Sequence, residues 1–376
     1  MAGPLEKALR LRVLQIIHSP DPGGVLALSH DIAGGLNQAG CTVDTCFVAP
    51  RAGMSRVAKL RGLVRIAWRM AFGGYHTVIA YQAAPSIMVG LAGLLVRSPN
   101  RIVHQTTIPP ATSAAARRLD RVIGTLGLYP VNIVNTVSTQ NEFADYPAAY
   151  RKRLLLIEHG VRKPEVTAGR EETLRRHGIP DDGKILLNTG RLVEDKGQAT
   201  IIRALPGLPG VRLVVAGEGE ERQSYQQLAR ELGVADRVHL LGALPHEQSV
   251  QLYGAADLFV FPTKNETFGI SAVEAVLLEL PTIVTDLAVL NEVLRVDGRS
   301  LVGFVRQDDV SAWQSAITTW LERPPPRSEL AAFGAGIERK YSPERMVAGY
   351  VELVRSSGKA RLPDESSASL GVGSGS

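Results

Sequence analysis

The chain has 376 residues, which is enough for two domains of ordinary size. Its apolar content of 45% is typical of a globular protein, and no apolar run reaches the ~20 residues that a membrane-spanning helix needs. The net charge is +5, but it is unevenly spread: the first 160 residues hold 17 Lys and Arg against 8 Asp and Glu, and no acidic residue stands between Asp44 and Asp120. This basic first half predicts an anionic partner.

The cysteine content and the N-terminus bear on the cellular compartment. Cys41 and Cys46 are too close in sequence for a useful disulfide and match no metal-binding spacing. They are therefore expected to be inert thiols in a reducing compartment. The first ten residues lack the apolar core of a secretory signal. A cytoplasmic protein is the resulting expectation.

The first half alternates apolar runs with amphipathic segments. Strands are predicted at 12–18, 42–49, 77–81, 101–106 and 131–138, helices at 25–39, 51–72, 85–96, 117–126 and 140–144, and an apolar run at 154–161 closes this half. The loop after the first strand contains Gly23 and Gly24, where a backbone could approach a ligand. This loop lacks the Gly-x-Gly-x-x-Gly spacing of a dinucleotide site, and an ordinary turn is the alternative.

The predicted helix at 51–72 is basic on one side. At 100° per residue, one face carries Arg61, Arg65 and Arg69, the other carries Leu60, Leu63, Val64, Ala67 and Met70, and Arg56 and Trp68 lie near the boundary. Such a helix either packs on a sheet as an ordinary surface helix or lies on an anionic membrane surface. The missing acidic residues favour the membrane. The candidate membrane or acceptor residues are Arg56, Lys59, Arg61, Arg65, Trp68 and Arg69.

One histidine of the first half has a suggestive position. His104 lies at the end of a predicted strand, and the carboxyl ends of parallel strands are where α/β sheets bind ligands. A structural histidine is the alternative interpretation.

The second half repeats the β/α alternation after a charged linker at 162–172. Strands are predicted at 184–190, 211–217, 238–242, 258–261 and 282–286, and helices at 198–204, 218–232, 247–254, 270–279, 288–295 and 343–356. The fold class is therefore α/β, with Rossmann-like parallel-sheet domains at 1–161 and 162–340 facing a central cleft. The helix near the C-terminus is followed by a Ser/Gly-rich tail, 358–376, which is predicted to be disordered.

Loops after strands of the second half concentrate charged residues. Glu266 precedes a predicted helix start at Gly269 and Glu274 follows it, so carboxylates flank the free N–H groups of a helix N-terminus. Arg191 and Lys196 lie on another such loop, where two cations suit a diphosphate. Each feature alone could be solvated surface. Because these loops share one sheet edge, together they indicate a nucleotide-sugar site.

The order and spacing of these motifs closely resemble those of the family-4 glycosyltransferases, which have the GT-B fold. The matching segments are 190–197, 216–221, 238–242, 253–263 and 266–275, the last with the family's Glu-x7-Glu motif. The first half matches more loosely, through the loop at 22–24, His104, the segment 134–138 and His159. Gln105 and His159 depart from the family pattern, which weakens any transfer of detail about the acceptor.

The resemblance implies a role for each matching position. The catalytic residues would be His104 beside the sugar, Arg191 and Lys196 at the diphosphate, and Glu266 at the sugar hydroxyls. Glu274 would accept hydrogen bonds from the ribose. The donor-binding set is Gly23, Gly24, Gly190, Arg191, Lys196, Gly217, Leu241, Gly242, Glu266, Thr267, Phe268, Gly269, Ile270 and Glu274. The resemblance also implies that the terminal helix crosses back onto the first domain.

The implied reaction transfers a sugar from a nucleotide-diphosphate sugar with retention of configuration. Neither a metal nor a cofactor is expected, and no Asp-x-Asp follows a predicted strand. The basic first domain predicts a saccharide acceptor, lipid-linked or part of a lipopolysaccharide or exopolysaccharide, and a peripheral position on the inner membrane. A nucleotide-sugar epimerase or a non-catalytic nucleotide-sugar-binding scaffold are the alternatives. A nucleic-acid partner is disfavoured because the basic region lacks aromatic stacking platforms.

Overall fold

The computed structural model describes residues 11–20, 24–49, 56–95 and 100–356. These residues form two domains, each built on a parallel six-stranded sheet. The prediction of two parallel-sheet domains is therefore confirmed. Within the described ranges, no helix has the length and apolar content required to cross a membrane.

The first sheet alternates with helices along the chain. Its strands are β1 (Arg12–Ile17), β2 (Thr42–Phe47), β3 (Thr77–Tyr81), β4 (Asn100–His104), β5 (Val131–Val134) and β6 (Leu154–Leu156). The helices between them are α1 (Gly24–Gln38), α2 (Arg56–Phe72), α3 (Ala83–Leu95), α4 (Ala114–Thr125), α5 (Val137–Asn141) and α6 (Ala148–Arg151). The strand order is β2-β1-β3-β4-β5-β6, so the chain reverses its direction of winding at β1 and β3.

The second sheet follows the same pattern. Its strands are β7 (Lys184–Thr189), β8 (Val211–Ala216), β9 (Val238–Gly242), β10 (Leu258–Phe261), β11 (Thr282–Thr285) and β12 (Gly303–Val305), in the order β12-β11-β10-β7-β8-β9. The helices are α7 (Arg170–Arg176), α8 (Gln198–Ala204), α9 (Arg222–Glu231), α10 (His246–Ala255), α11 (Ile270–Leu277), α12 (Ala288–Val293), α13 (Val310–Glu322), α14 (Arg327–Lys340) and α15 (Pro343–Arg355).

Apolar runs explain why these strands lie inside. All residues of β3, β5, β10 and β11 are buried, as expected for parallel strands covered on both faces. On one face of the first sheet, α2, α3 and α4 contribute buried residues such as Ile66, Val89 and Ile123 to a single core. On the other face, α1 packs beside α15.

The last helix belongs in space to the first domain. Met346, Tyr350, Leu353 and Val354 of α15 are buried in the same core as Leu28 and Ile32 of α1. At the point of return, the Val161 N–H donates to the Tyr341 carbonyl at 2.8 Å. The chain therefore passes between the domains twice, at neighbouring positions.

Several element boundaries differ from the sequence-based expectations. The strand predicted at 131–138 ends at Val134, because the Thr136 side chain accepts a hydrogen bond from the Thr139 N–H and caps α5 there. The helix predicted at 140–144 consequently begins earlier. The strand β12 and the helices α13 and α14 were not predicted. The tail at 358–376 lies outside the described residues.

Candidate active site between the two domains

The start of α11 forms the centre of the candidate site. Gly269 precedes the helix with φ +86°, and a Cβ atom built there would lie 2.7 Å from Leu290 Cδ2. Glycine is the residue that adopts this left-handed conformation without strain. The helix then begins with Ile270 and Ser271, whose N–H groups precede the first intrahelical hydrogen bonds. An anion placed there would be stabilised by the helix dipole.

Two loops after neighbouring strands pack tightly beside this helix. The Lys264 N–H donates to the Asp195 carbonyl at 2.7 Å, joining the loop after β10 to the loop after β7. Gly197 has φ +66°, and a Cβ atom there would come within 2.1 Å of the Pro262 carbonyl oxygen. This close approach of two backbones fixes where Lys196 lies.

Lys196 and Glu266 form a half-buried ion pair through Nζ and Oε1. Arg191 lies on the same loop as Lys196 but is exposed. The sequence assigned Lys196 to a diphosphate and Glu266 to a sugar. The structure brings the two side chains into direct contact, so a bound donor would compete with this pair for both charges.

Glu274 lies one and a half turns into α11 and is 9% exposed. Its Oε2 atom accepts a hydrogen bond from Tyr253 Oη at 3.2 Å, and its Oε1 atom lies 3.6 Å from His246 Nε2. Burial raises the pKa of the Glu274 carboxyl, and the nearby His246 and the Tyr253 hydroxyl partly oppose that shift. The carboxyl is thus held on both oxygens at the edge of the cleft.

Tyr253 and His246 were missed as functional residues by sequence reasoning. Tyr253 is buried, and its hydroxyl also lies 2.8 Å from Thr189 Oγ1 at the end of β7. The signal for Tyr253 was present, because it opens one of the segments that match the family pattern. No signal in the sequence alone pointed to His246, which approaches Glu274 only in the folded chain.

Three glycines line the ends of adjacent strands. Gly217 donates its N–H to the Gly242 carbonyl at 2.9 Å, and a Cβ atom on Gly217 would lie 1.8 Å from the Gly190 carbonyl oxygen. Gly242 has φ +83°, and the neighbouring Leu241 is half-buried against the core. Three of the glycines expected to bind the donor are therefore brought together at neighbouring strand ends.

The first domain approaches the site at two places. A Cβ atom on Gly24 would lie 3.1 Å from Ile270 Cδ1, which places the start of α1 against the start of α11. Gly23 lies outside the described residues. Thr267, between Glu266 and Phe268, accepts hydrogen bonds at its carbonyl from the Thr136 and Thr139 hydroxyls at 3.2 and 3.3 Å. Residues far apart in sequence thus surround one cleft.

The expected position of His104 needs correction. Rather than facing the cleft, its ring is 1% exposed, and its Nδ1 atom lies 2.5 Å from Tyr350 Oη of α15. The ring stacks on His159, which in turn contacts Phe268 edge-on. Burial lowers the pKa of both imidazoles, that of His159 to about 4, so both are neutral at pH 7. The helix that returns from the second domain covers His104, and its catalytic role stays a prediction.

The structure shows which side of α2 faces the sheet. Val64, which lies on the predicted apolar face, is 63% exposed, as is Trp68, and Phe72 continues the same exposed stripe. The buried side carries Ile66 and Met70. Arg69 is only partly exposed and donates through Nη1 to Cys46 Sγ at 2.9 Å. A helical wheel fixes the angles between side chains but not which direction faces the sheet.

The remaining basic residues of α2 fall into two groups. Arg61 and Arg65 are exposed, as expected. The side chains of Arg56 and Lys59 lie outside the described part of the structure.

In the described ranges, no group of three or more His, Cys, Asp or Glu side chains is arranged to hold a metal ion.

Comparison with known proteins places these features in a family. Residues 169–335 match the family described as "Glycosyl transferases group 1". A D-inositol 3-phosphate glycosyltransferase of Mycolicibacterium smegmatis is 34% identical over 199 residues, which is 51% of this chain and 45% of that protein. A protein with the same description from Corynebacterium urealyticum is 32% identical over 58% of this chain and 56% of its own length. The chain thus spans about half the length of these relatives.

The solved structures extend the similarity to both domains. HepE of Anabaena, solved in complex with UDP and glucose, superposes with a TM-score of 0.75 at 19% identity, covering 92% of this chain and all of that one. A sucrose-phosphate synthase from Thermosynechococcus elongatus gives a TM-score of 0.74 at 18% identity, with 92% and 99% covered. The expected fold is thereby confirmed, and the match at 169–335 supports the resemblance to family-4 glycosyltransferases. The chain has the GT-B glycosyltransferase fold, and residues 169–335, in its second domain, match the glycosyl transferases group 1 family.

Proposed function

We propose that this protein is a retaining, metal-independent glycosyltransferase that moves a sugar from a nucleotide-diphosphate sugar to a saccharide acceptor. The observation that carries the proposal is the convergence of Lys196, Glu266 and Glu274 around the N-terminus of α11, with Gly24 of the other domain against Ile270. HepE, which shares the fold, binds UDP and glucose, which is compatible with a nucleotide-sugar donor here.

The chemistry of the site suits the departure of a diphosphate. The bond between the anomeric carbon and the diphosphate oxygen breaks, a bond to the acceptor oxygen forms on the same face, and the acceptor proton passes to the leaving phosphate. Lys196, Arg191 and the α11 dipole would stabilise the negative charge that builds on that phosphate. Glu266 would then be released from Lys196 to hold sugar hydroxyls, and Glu274 would accept from the ribose.

A donor panel tests this proposal. Nucleotide release is measured from UDP-, GDP- and ADP-sugars in the presence of EDTA, with and without a bacterial membrane lipid extract. Release only with extract, reduced ~100-fold or more by Glu266→Ala and by Lys196→Ala, is the expected result. Glu322→Ala, which removes an exposed carboxylate at the end of α13, is the control. If no nucleotide is released in EDTA and release appears only after Mg²⁺ is added, metal independence is overturned. NMR of the product shows whether the anomeric configuration is retained.

The same panel separates two alternatives. A nucleotide-sugar epimerase would convert the donor with no acceptor present and release no nucleotide. A binding scaffold would bind nucleotide but leave every donor intact under all conditions. Either outcome would overturn the transferase assignment.

We further propose that the acceptor is lipid-linked, or part of a lipopolysaccharide or exopolysaccharide, and that the first domain lies on the cytoplasmic face of an anionic membrane. The three helices on one face of the first sheet all leave apolar side chains in solvent: Val64, Trp68 and Phe72 in α2, Leu91 and Leu94 in α3, and Leu119 and Val122 in α4. Exposed arginines, among them Arg61, Arg65 and Arg118, accompany them. Apolar residues beside cations favour an anionic lipid surface.

Vesicle binding tests the membrane assignment. Sedimentation with phosphatidylglycerol vesicles is compared for the native chain, for Arg61→Glu/Arg65→Glu and for Trp68→Ser/Phe72→Ser. Each basic residue near such a surface contributes about 1 kcal/mol, so reversing two charges should weaken binding ~30-fold or more. Arg323→Glu/Arg327→Glu reverses two exposed charges of the second domain as a control. Equal binding by all variants would exclude this surface.

A further inference from the structure

A carboxylate of the second domain caps a helix of the first. Glu292 lies in α12, and its Oε1 atom accepts from the Val137 N–H at 2.7 Å. Its Oε2 atom accepts from both the N–H and the hydroxyl of Ser138, at 2.7 and 2.6 Å. These are the first N–H groups of α5, where a negative charge is favoured by the helix dipole and by charge-assisted hydrogen bonds.

The same few residues of the first domain also hold the loop that carries Glu266. The Thr136 and Thr139 hydroxyls donate to the Thr267 carbonyl, and Asn135 Nδ2 donates to Thr267 Oγ1 at 3.4 Å. The segment 135–139 therefore contacts α12 through Glu292 and the loop before α11 through Thr267. Each contact restricts the other, because both act on one short rigid segment.

Glu292 also lies beside the point where the chain returns to the first domain. Its backbone carbonyl accepts from Lys340 Nζ at 2.8 Å, and the same ammonium donates to the Arg295 carbonyl at 3.0 Å. Lys340 is the last residue of α14, and α15 begins three residues later. The end of α12 is thus tied both to the crossover and, through Glu292, to α5.

We propose that Glu292 is a positioning residue that latches the first domain, through α5, onto the loop at Glu266–Gly269 and so holds the cleft closed. The carboxylate touches no residue that we assign to the donor, so its effect is on the relative position of the domains. Closure would keep Gly24 against Ile270 and water away from the reacting carbon. The expected effect of Glu292 on the rate of transfer rests on the proposed function. The expected effect on the distance between the domains does not.

The geometric consequence is measured first, on the full chain and without substrate. Nitroxide labels are attached at Gln38→Cys and Glu231→Cys, which are exposed positions in different domains, while the native Cys41 and Cys46 are buried. Pulsed electron resonance should give one narrow distance distribution for the otherwise native chain. Glu292→Ala should broaden the distance distribution or shift it to longer distances. Glu292→Gln keeps the size of the side chain but not its charge, and its distribution should lie between those of the native chain and Glu292→Ala. Glu338→Ala removes an exposed carboxylate of α14 and should change nothing.

The kinetic consequence separates positioning from general destabilisation. With the donor found in the panel above, Glu292→Ala, which removes all three charge-assisted hydrogen bonds of the carboxylate, should lower kcat about tenfold or more. The dissociation constant for UDP, measured by calorimetry, should change less than about twofold, because the assigned nucleotide contacts lie in the second domain. Ser138→Ala should lower kcat less than Glu292→Ala does. The double variant should have the same kcat as Glu292→Ala, because the Ser138 hydroxyl has then already lost its partner.

The outcomes are distinguishable. An unchanged distance distribution in Glu292→Ala would overturn the latch, whether or not the rate falls. A changed distribution with an unchanged rate would overturn its role in transfer. If the distribution changes but the native chain transfers no sugar from any donor, the latch stands and the proposed function fails.

Discussion

At the scale of single residues, Glu274 combines two conflicting requirements. Its carboxyl is buried, and burial raises its pKa, yet the role proposed for it, accepting hydrogen bonds from ribose hydroxyls, is served best by the ionised form. Tyr253 and His246 hold the group from two sides. A buried carboxyl with a shifted pKa is typical of functional residues.

Replacing Glu274 with Gln should reveal the stability cost of this buried carboxyl through its pH dependence. A carboxyl whose folded-state pKa is raised destabilises the fold as pH rises above its unfolded pKa, because the unfolded chain loses the proton more readily than the native state does; the loss is complete above the folded-state pKa. Glu274→Gln should accordingly gain more in Tm, relative to the native chain, at pH 8 than at pH 5. The affinity for nucleotide should fall in the same variant. Thermal denaturation at both pH values and calorimetric titration with UDP measure the two effects.

A matched control sharpens this result. Glu279→Gln removes a half-exposed carboxylate just after α11 that pairs with Lys163, and surface pairs contribute little. It should show no such pH-dependent gain. Equal behaviour of both variants would contradict the assignment of a buried functional carboxylate.

At the scale of elements, the start of α11 depends on the backbone conformation of Gly269. Gly269→Ala forces a Cβ atom into a left-handed residue and towards Leu290. The conformational cost alone is about 1–2 kcal/mol, and any shift of the helix start also displaces the N–H groups proposed to bind phosphate. The variant should lose stability in urea denaturation and should also bind UDP more weakly.

A second glycine serves as a control, because it separates the cost of backbone strain from the loss of nucleotide binding. Gly233 has a similar φ of +67°, and a Cβ atom there would meet nothing within 4 Å. Gly233→Ala should lose a comparable conformational term but keep nucleotide affinity. If both variants bind UDP as the native chain does, the start of α11 is not the phosphate site.

Element by element, local patterns predicted strands better than they predicted orientations. The buried strands β7 and β10 were predicted from continuous apolar runs, since period and composition are local properties. The amphipathic stripe of α2 was predicted, but its pattern did not decide whether the apolar face packs on the sheet or faces outward, and Val64 is exposed. Which side of a weakly amphipathic helix faces the sheet depends on its neighbours: Gly62 lies against the Val48 carbonyl, and Ile66 fills the core beside α3.

At the scale of the whole molecule, α15 joins the two domains. Tyr350 is fully buried in the first-domain core, and its hydroxyl forms a hydrogen bond with His104 Nδ1. Tyr350→Ala should destabilise the first domain by about 3–5 kcal/mol, the usual cost of deleting a large buried ring. Tyr225→Ala makes an equivalent deletion in the core of the second domain. Hydrogen exchange followed by mass spectrometry should show increased exchange mainly in the domain that carries each substitution, and identical patterns would argue against separate cores.

The class of fold and the residues of the candidate site could be predicted from residue order alone. Alternating apolar runs specified two parallel sheets, and the spacing of Glu266, Gly269 and Glu274 specified a helix start flanked by carboxylates. The folded chain was needed to show which groups meet: Lys196 with Glu266, Tyr253 and His246 with Glu274, Tyr350 over His104, and Glu292 with α5. The reason is physical. Helix and strand periods are set by neighbours along the chain, whereas these contacts join segments dozens to hundreds of residues apart whose positions depend on how both cores pack.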